Sequence, residues 1–271
     1  MVQSKPLSFL LTDEDLPETD NKPVDNELQI LVPMLLRAIL TLLWGDRDDW
    51  FFGVNLGVYY DPDQPAIGPD GFLSLGVPRF RPSGKLRLSY VIAQENQQIP
   101  LWVLEVVSKT PGQEYDEKKD RYAKMGVLYY TIYNPDHWRR DEHDPFEVYR
   151  LVNGRYIRLA GNPVWMPELG LGIGHERSKQ EGHIREWLYW YDQQGQRYPA
   201  PENVIEQERQ LRQQAEQQRQ KERQLRQRAE QRQEQERQLR QQAEQQLEQE
   251  RRKREALLEQ LRQRGIQIDD L

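Results

Sequence analysis

No aromatic residue follows Tyr198, and that boundary confines any aromatic-lined core to the part of the chain before it. All 7 Trp, 13 Tyr and 6 Phe lie at or before this point, enough to fill a sizeable interior. Beyond it the sequence is almost wholly Gln, Glu and Arg. Three segments are therefore expected: a polar N-terminal arm at 1–24 punctuated by Pro6, Pro17 and Pro23, a folded domain at 25–198, and a charged helix at 199–271.

The last segment carries an internal repeat. "ERQLRQQAEQ" at 208–217 returns as "ERQLRQRAEQ" at 222–231 and as "ERQLRQQAEQ" at 236–245, a spacing of two heptads. Leu211, Leu225 and Leu239 share one heptad position, with Ala215, Ala229 and Ala243 four residues later. The heptads between them place Gln218, Glu222, Arg232 and Glu236 at the same sites, so the seam is only half apolar. Helix is expected throughout, with weak homo-oligomerisation or a solvated spacer as its two roles.

Charge divides unevenly between these parts. Residues 1–200 hold 22 Lys+Arg against 29 Asp+Glu, and residues 201–271 hold 16 against 15. An acidic domain is no general binder of phosphate backbones, so nucleic acid would be met locally, through a metal or a few basic side chains. The absence of Cys excludes disulfides, thiolate metal sites and a cysteine nucleophile. No basic segment followed by a long apolar run opens the chain, and no apolar run reaches membrane-spanning length; a cytoplasmic protein is expected.

Within the domain, "DNELQILVPMLLRAILTLLW" spaces Leu28, Leu31, Leu35, Ile39 and Leu42 as one helical face, with Asp25 as N-cap and an irregularity at Pro33. Short runs rich in aromatic and β-branched residues follow at 50–60, 69–77, 86–94 and 101–108, expected as strands of a mostly antiparallel meander. A helix at 113–125 ends at Gly126, the sheet resumes at 127–134, and hairpin units are expected at 146–160 and 184–198. The order gives an α/β fold, a mixed sheet with flanking helices.

One residue sits badly in this pattern. "PLWVLEVVSKT" (100–110) has no in-and-out alternation, as expected of a central strand covered on both faces, yet it carries Glu105. A buried carboxylate is costly unless it is paired with a cation or bound to a metal. A structural pair with Lys or Arg is one answer. The other comes from its neighbours: Asp70 follows a Pro at the start of another strand, and Glu114, Lys118 and Tyr122 are spaced along one face of the next helix. Two acids and a lysine can hold a hard divalent cation and offset phosphate charge.

"PDGFLSLGV", "PLWVLEVVSKT", "KKDRYAKMGVLYYTIYNP" and "WYDQQGQRYP" together resemble the Uma-two family of bacterial endonucleases, a branch of the PD-(D/E)XK nuclease superfamily, over about residues 20–198. The resemblance implies a restriction-endonuclease-like fold and a Mg²⁺ or Mn²⁺ site built from Asp70, Glu105 and the carbonyl of Val106. The superfamily places its lysine two residues after the glutamate, where this chain has Val107. Uma-type members are similar in carrying it on the next helix, which assigns Lys118, supported by Tyr122, with Lys109 and Lys119 as rivals. Glu27 is an outer candidate acid, although a first-turn Glu is also favoured by the helix dipole alone.

The four His residues lack metal-ligand spacing and are expected at the surface. "GLGIG" (170–174) lacks the context of a phosphate loop and is expected as a turn. Arg79, Arg81, Lys85, Arg139 and Arg140 form a candidate basic rim. Two functions compete: a metal-dependent endonuclease acting on DNA, and a non-catalytic scaffold of nuclease-like fold that recruits partners through its C-terminal helix.

Overall fold

The computed structural model describes residues 12–14, 16, 26–61, 64–110 and 112–263. Most of the expected arm at 1–24, the expected cap Asp25 and residues 264–271 lie outside the described residues.

Helix α1 (Leu28–Leu43) buries Leu28, Val32, Leu36, Ile39 and Leu40 along one stripe. Asn26 caps it, its Oδ1 accepting the N–H groups of Leu28 at 2.9 Å and Gln29 at 3.3 Å. The helix runs through Pro33, which has no N–H for the carbonyl of Gln29. The Asn55 side-chain amide donates to that carbonyl instead, at 3.2 Å.

The strands and remaining helices follow in the order β1 (Trp50–Val54), β2 (Val58–Tyr59), β3 (Gly71–Leu75), β4 (Tyr90–Val91), β5 (Trp102–Val106), α2 (Glu117–Met125), β6 (Tyr129–Tyr133), α3 (Trp138–Asp141), β7 (Phe146–Val152), β8 (Arg155–Leu159), β9 (Val164–Met166), β10 (Leu171–Gln180), β11 (His183–Tyr191) and α4 (Pro201–Gln263). The main sheet has strand order β1-β3-β5-β6-β7-β8. Every neighbouring pair in it is antiparallel except β5 and β6, which run parallel with α2 as the crossover. This is the expected α/β architecture, a restriction-endonuclease-like mixed sheet with flanking helices and a long C-terminal helix.

Several local expectations change. The run at 50–60 breaks at Asn55, whose φ of 46° turns the chain out of β1, and β2 then joins a separate two-stranded sheet with β4. Of the strand expected at 86–94 only Tyr90–Val91 is extended, paired parallel to β2. β11 pairs along its whole length with β10, and the hairpin expected at 184–198 is reduced to a turn at 192–196 that brings Arg197 back antiparallel to Tyr191; "GLGIG" opens β10 rather than making only a turn. Helix α2 begins at Glu117, four residues later than expected, which leaves Glu114 in the turn before it. It ends as expected at Gly126, whose φ of 93° favours glycine, and Val127 N–H closes back on the Tyr122 carbonyl at 3.0 Å.

Strand β5 is buried along its entire length, and its side chains alternate between two cores. Trp102, Leu104 and Val106 face α1 and the three-stranded sheet β9–β11, where Trp102 meets Trp190 edge-on with ring centres 5.0 Å apart. Val103 and Val107 face the opposite core with Tyr122, Met125, Tyr130 and Ile132. By the two-residue period of a strand, Glu105 points into this second core, beneath α2.

The chain's two compact units meet between Val204 and Ile205. The second holds most of α4, a helix of 63 residues with none buried. Deleting residues 205–271 is therefore expected to leave the unfolding temperature of the first unit within about 2 °C of the full chain, checked by thermal denaturation of both. Among the described residues no helix is long and apolar enough to cross a membrane.

Candidate functional site

The antiparallel register of β3 and β5 pairs Phe72 with Val103 and Gly71 with Leu104. One step further, this register sets Asp70 across from Glu105. Directly opposed residues share a face of the sheet, so both carboxylates enter the core under α2. The chain can approach closely here because residue 71 is glycine: a Cβ on it would stand 3.0 Å from the Pro33 side chain of α1.

Glu105 is 1% exposed. Lys118, on the first turns of α2, reaches its Oε2 at 2.7 Å, and the Tyr122 hydroxyl, one turn later, donates to its Oε1 at 2.6 Å. Asp70 is 7% exposed, and its Oδ2 accepts the backbone N–H of Val106 at 2.6 Å. Glu114 is buried beside them, its carboxylate accepting the N–H of Gly112 and its carbonyl accepting the Tyr130 hydroxyl. The Val106 carbonyl already accepts the side-chain amide of Gln29 at 3.2 Å.

The electrostatics follow from three buried acids and one partly buried base. Burial raises the pKa of Asp70 well above its ordinary value, and the charge of Glu105 raises it further, against the Val106 hydrogen bond and Lys118. Burial also raises Glu105, an effect that Lys118 and Tyr122 offset only in part. Burial alone would lower Lys118, but the charge and hydrogen bond of Glu105, with Asp70 and Glu114, push it up, so it stays an ammonium. Tyr122 is raised by burial and by Glu105 and remains a hydroxyl.

Lys118 is thus the lysine brought to Glu105, and its rivals are elsewhere. Lys109 is exposed beyond the strand end, and the Lys119 ammonium lies 3.6 Å from the centre of the Tyr149 ring. Glu27 is exposed at the start of α1, where it lines a cleft of about 480 Å³ with Lys109, Asp136, His137 and Arg185; no described hydrogen bond or ion pair joins it to Asp70 or Glu105. The expected basic rim is largely occupied: Arg81 pairs with Asp13 at 2.7 Å, Lys85 with Glu14 and Arg140 with Asp141, while Arg79 lies over Trp50 and Arg139 over Trp138. His143 stacks on Tyr115 with ring centres 3.6 Å apart, and His175 pairs with Glu186.

Gln29 is absent from the sequence-based set. It sits four residues before Pro33 in an otherwise ordinary amphipathic helix, and nothing in its spacing points to a strand 77 residues away. Glu114 was expected on the helix face with Lys118; it reaches the same pocket from the preceding turn.

Among the described residues no set of three or more acidic, His or Cys side chains is gathered as a metal cage. The donor set nonetheless suits a hard cation. It offers carboxylate and carbonyl oxygens, and Asp70 Oδ1 accepts no described hydrogen bond. No curated protein matches the chain. Residues 19–178 match the family Uma2, described as "Putative restriction endonuclease". That match spans more than half of the chain and encloses Asp70, Glu105 and Lys118, so the chain belongs to the Uma2 family.

Proposed function

We propose that this protein is a divalent-metal-dependent endonuclease that hydrolyses phosphodiester bonds in DNA, with Asp70, Glu105 and Lys118 as its catalytic group. The observation that carries the reading is the pairing of two buried carboxylates on one face of the sheet with a single ammonium between them and the helix above. Membership of a restriction-endonuclease family supports phosphodiester chemistry.

Asp70 and Glu105 would hold Mg²⁺ or Mn²⁺, with the Val106 carbonyl as a third oxygen if Gln29 releases or shares it. When bound, such an ion polarises a phosphoryl oxygen and lowers the pKa of an attacking water. The chain's own groups do the rest. The Val106 N–H fixes the plane of the Asp70 carboxylate, and Tyr122 fixes that of Glu105. Lys118 keeps its proton, so it orients water or offsets the charge that builds on the phosphate rather than acting as a base. Tyr122 likewise serves as a donor.

A second reading rests on a specific observation: Lys118 and Tyr122 satisfy both oxygens of Glu105 with no ion required. That is the arrangement of a structural ion pair in a non-catalytic scaffold. One experiment separates the two. Purified full-length protein is incubated with supercoiled plasmid in EDTA, Mg²⁺ or Mn²⁺, and its unfolding temperature is measured in parallel. The nuclease reading expects nicking only with metal and a rise of several degrees in unfolding temperature on saturation, since ligand at about 100 times its dissociation constant stabilises a fold by about 2.7 kcal/mol. Neither cleavage nor a thermal shift leaves the scaffold.

A further inference from the structure

Helix α4 displays Leu211, Leu225 and Leu239 at 64%, 64% and 65% exposure along a seam that nothing in the chain covers among the described residues. The seam alternates. Apolar layers of Leu followed by Ala are separated by polar layers in which Gln218, Arg232 and Gln246 take the Leu position, and Glu222, Glu236 and Glu250 take the Ala position.

The two orientations of a helix pair treat this pattern differently. In a parallel pair each seam residue meets its own counterpart: over residues 208–246 Glu222 meets Glu222, Arg232 meets Arg232 and Glu236 meets Glu236, three like-charge layers flanked by a further Glu208 pair, while Ala meets Ala and leaves a gap. In an antiparallel pair the Leu position of one helix meets the Ala position of the other. One register, centred near Gln227, then satisfies every layer. Leu211 faces Ala243 of the second copy, Leu225 faces Ala229 and Leu239 faces Ala215, each a large residue against a small one. In the layers between, Arg232 faces Glu222, Gln218 faces Glu236 and Gln246 faces Glu208.

We propose that α4 pairs with the same helix of a second copy of this chain as an antiparallel coiled coil over about residues 208–246, in that register. Two acids of the seam are already held by their own helix: Glu208 pairs with Arg212 at 2.6 Å and Glu236 with Arg240 at 3.2 Å. Arg226 and Arg228, flanking the midpoint, meet their own counterparts, which keeps the association weak and concentration-dependent.

Because the chain has no cysteine, single cysteines report orientation directly. Full-length Leu211→Cys and Ala243→Cys chains, each in an otherwise native background, are oxidised separately and as a mixture. Disulfide-linked dimers should appear in the mixture as the mixed species and be nearly absent from either variant alone. Dimers formed by Leu211→Cys alone would mean a parallel pair and overturn the proposal, as would the absence of cross-linking in every sample together with a monomer in sedimentation equilibrium. A charge exchange gives a second readout. Glu222→Arg should weaken dimerisation at least about tenfold, and adding Arg232→Glu should restore it, since the pair is rebuilt only when the two positions face each other across the seam. A double variant as weak as Glu222→Arg alone also overturns the register.

Discussion

Glu105→Gln is expected to abolish metal-dependent cleavage and, with no metal present, to lower the stability of the fold by about 2 kcal/mol. The loss of cleavage follows from the loss of one of two carboxylates able to hold the ion. The loss of stability follows from Lys118, whose side chain is 17% exposed and whose ammonium lies 2.7 Å from Glu105. An amide can still accept the Tyr122 hydroxyl, but it leaves a partly buried ammonium without its nearest counter-charge. The neighbouring acids Asp70 and Glu114 hold the cost below that of a fully stranded charge. Plasmid nicking and chemical denaturation in EDTA check the two parts. Full cleavage by the variant would remove Glu105 from the reaction; unchanged stability would mean that the pair contributes nothing to the fold.

Much of this site is legible in the sequence. An apolar run as continuous as "LWVLEVV" reads as a strand covered on both faces, and β5 is that strand. The periodicity of "KKDRYAKMG" places Lys118 and Tyr122 one turn apart, which is how both reach Glu105. Other features are not local. Whether Glu105 and Asp70 share a face depends on the register of β3 against β5, which is a tertiary property. Gln29 reaches Val106 because α1 crosses the sheet there, and Asn55 compensates Pro33 because β1 ends beside that helix. The strand expected at 86–94 shrinks to Tyr90–Val91 because its neighbours Arg87 and Glu95 pair with each other, at 2.8 Å, across a folded-back segment rather than along a ladder. From sequence alone Glu105 is the core charge that needs a cation, whether Lys, Arg or a metal. The structure gives its cation to Glu105 and leaves Asp70 as the acid without a direct one.

That exchange of roles makes Asp70→Asn the opposite test. The substitution is expected to abolish cleavage and yet to stabilise the metal-free protein, by about 2 kcal/mol at neutral pH. An asparagine oxygen can still accept the Val106 N–H, so the backbone contact survives while a buried charge facing Glu105 is removed. The pH dependence carries the sign. Because burial and Glu105 raise Asp70 above 3.8, its favourable contribution is complete below that value, where both folded and unfolded chains hold the proton. As pH rises the unfolded chain ionises first, and the wild-type fold loses up to about 1.4 kcal/mol per pH unit from this group until the folded carboxyl ionises too. Asp70→Asn lacks that decline. The two proteins should therefore be nearly equally stable near pH 3.5 and diverge above it, and saturating Mn²⁺ should narrow the gap by stabilising the wild type alone. Denaturation of both proteins across this range, with and without Mn²⁺, is the measurement. A variant less stable than wild type at every pH would mean that the ionised Asp70 holds the fold together, which a metal site awaiting its ion does not require.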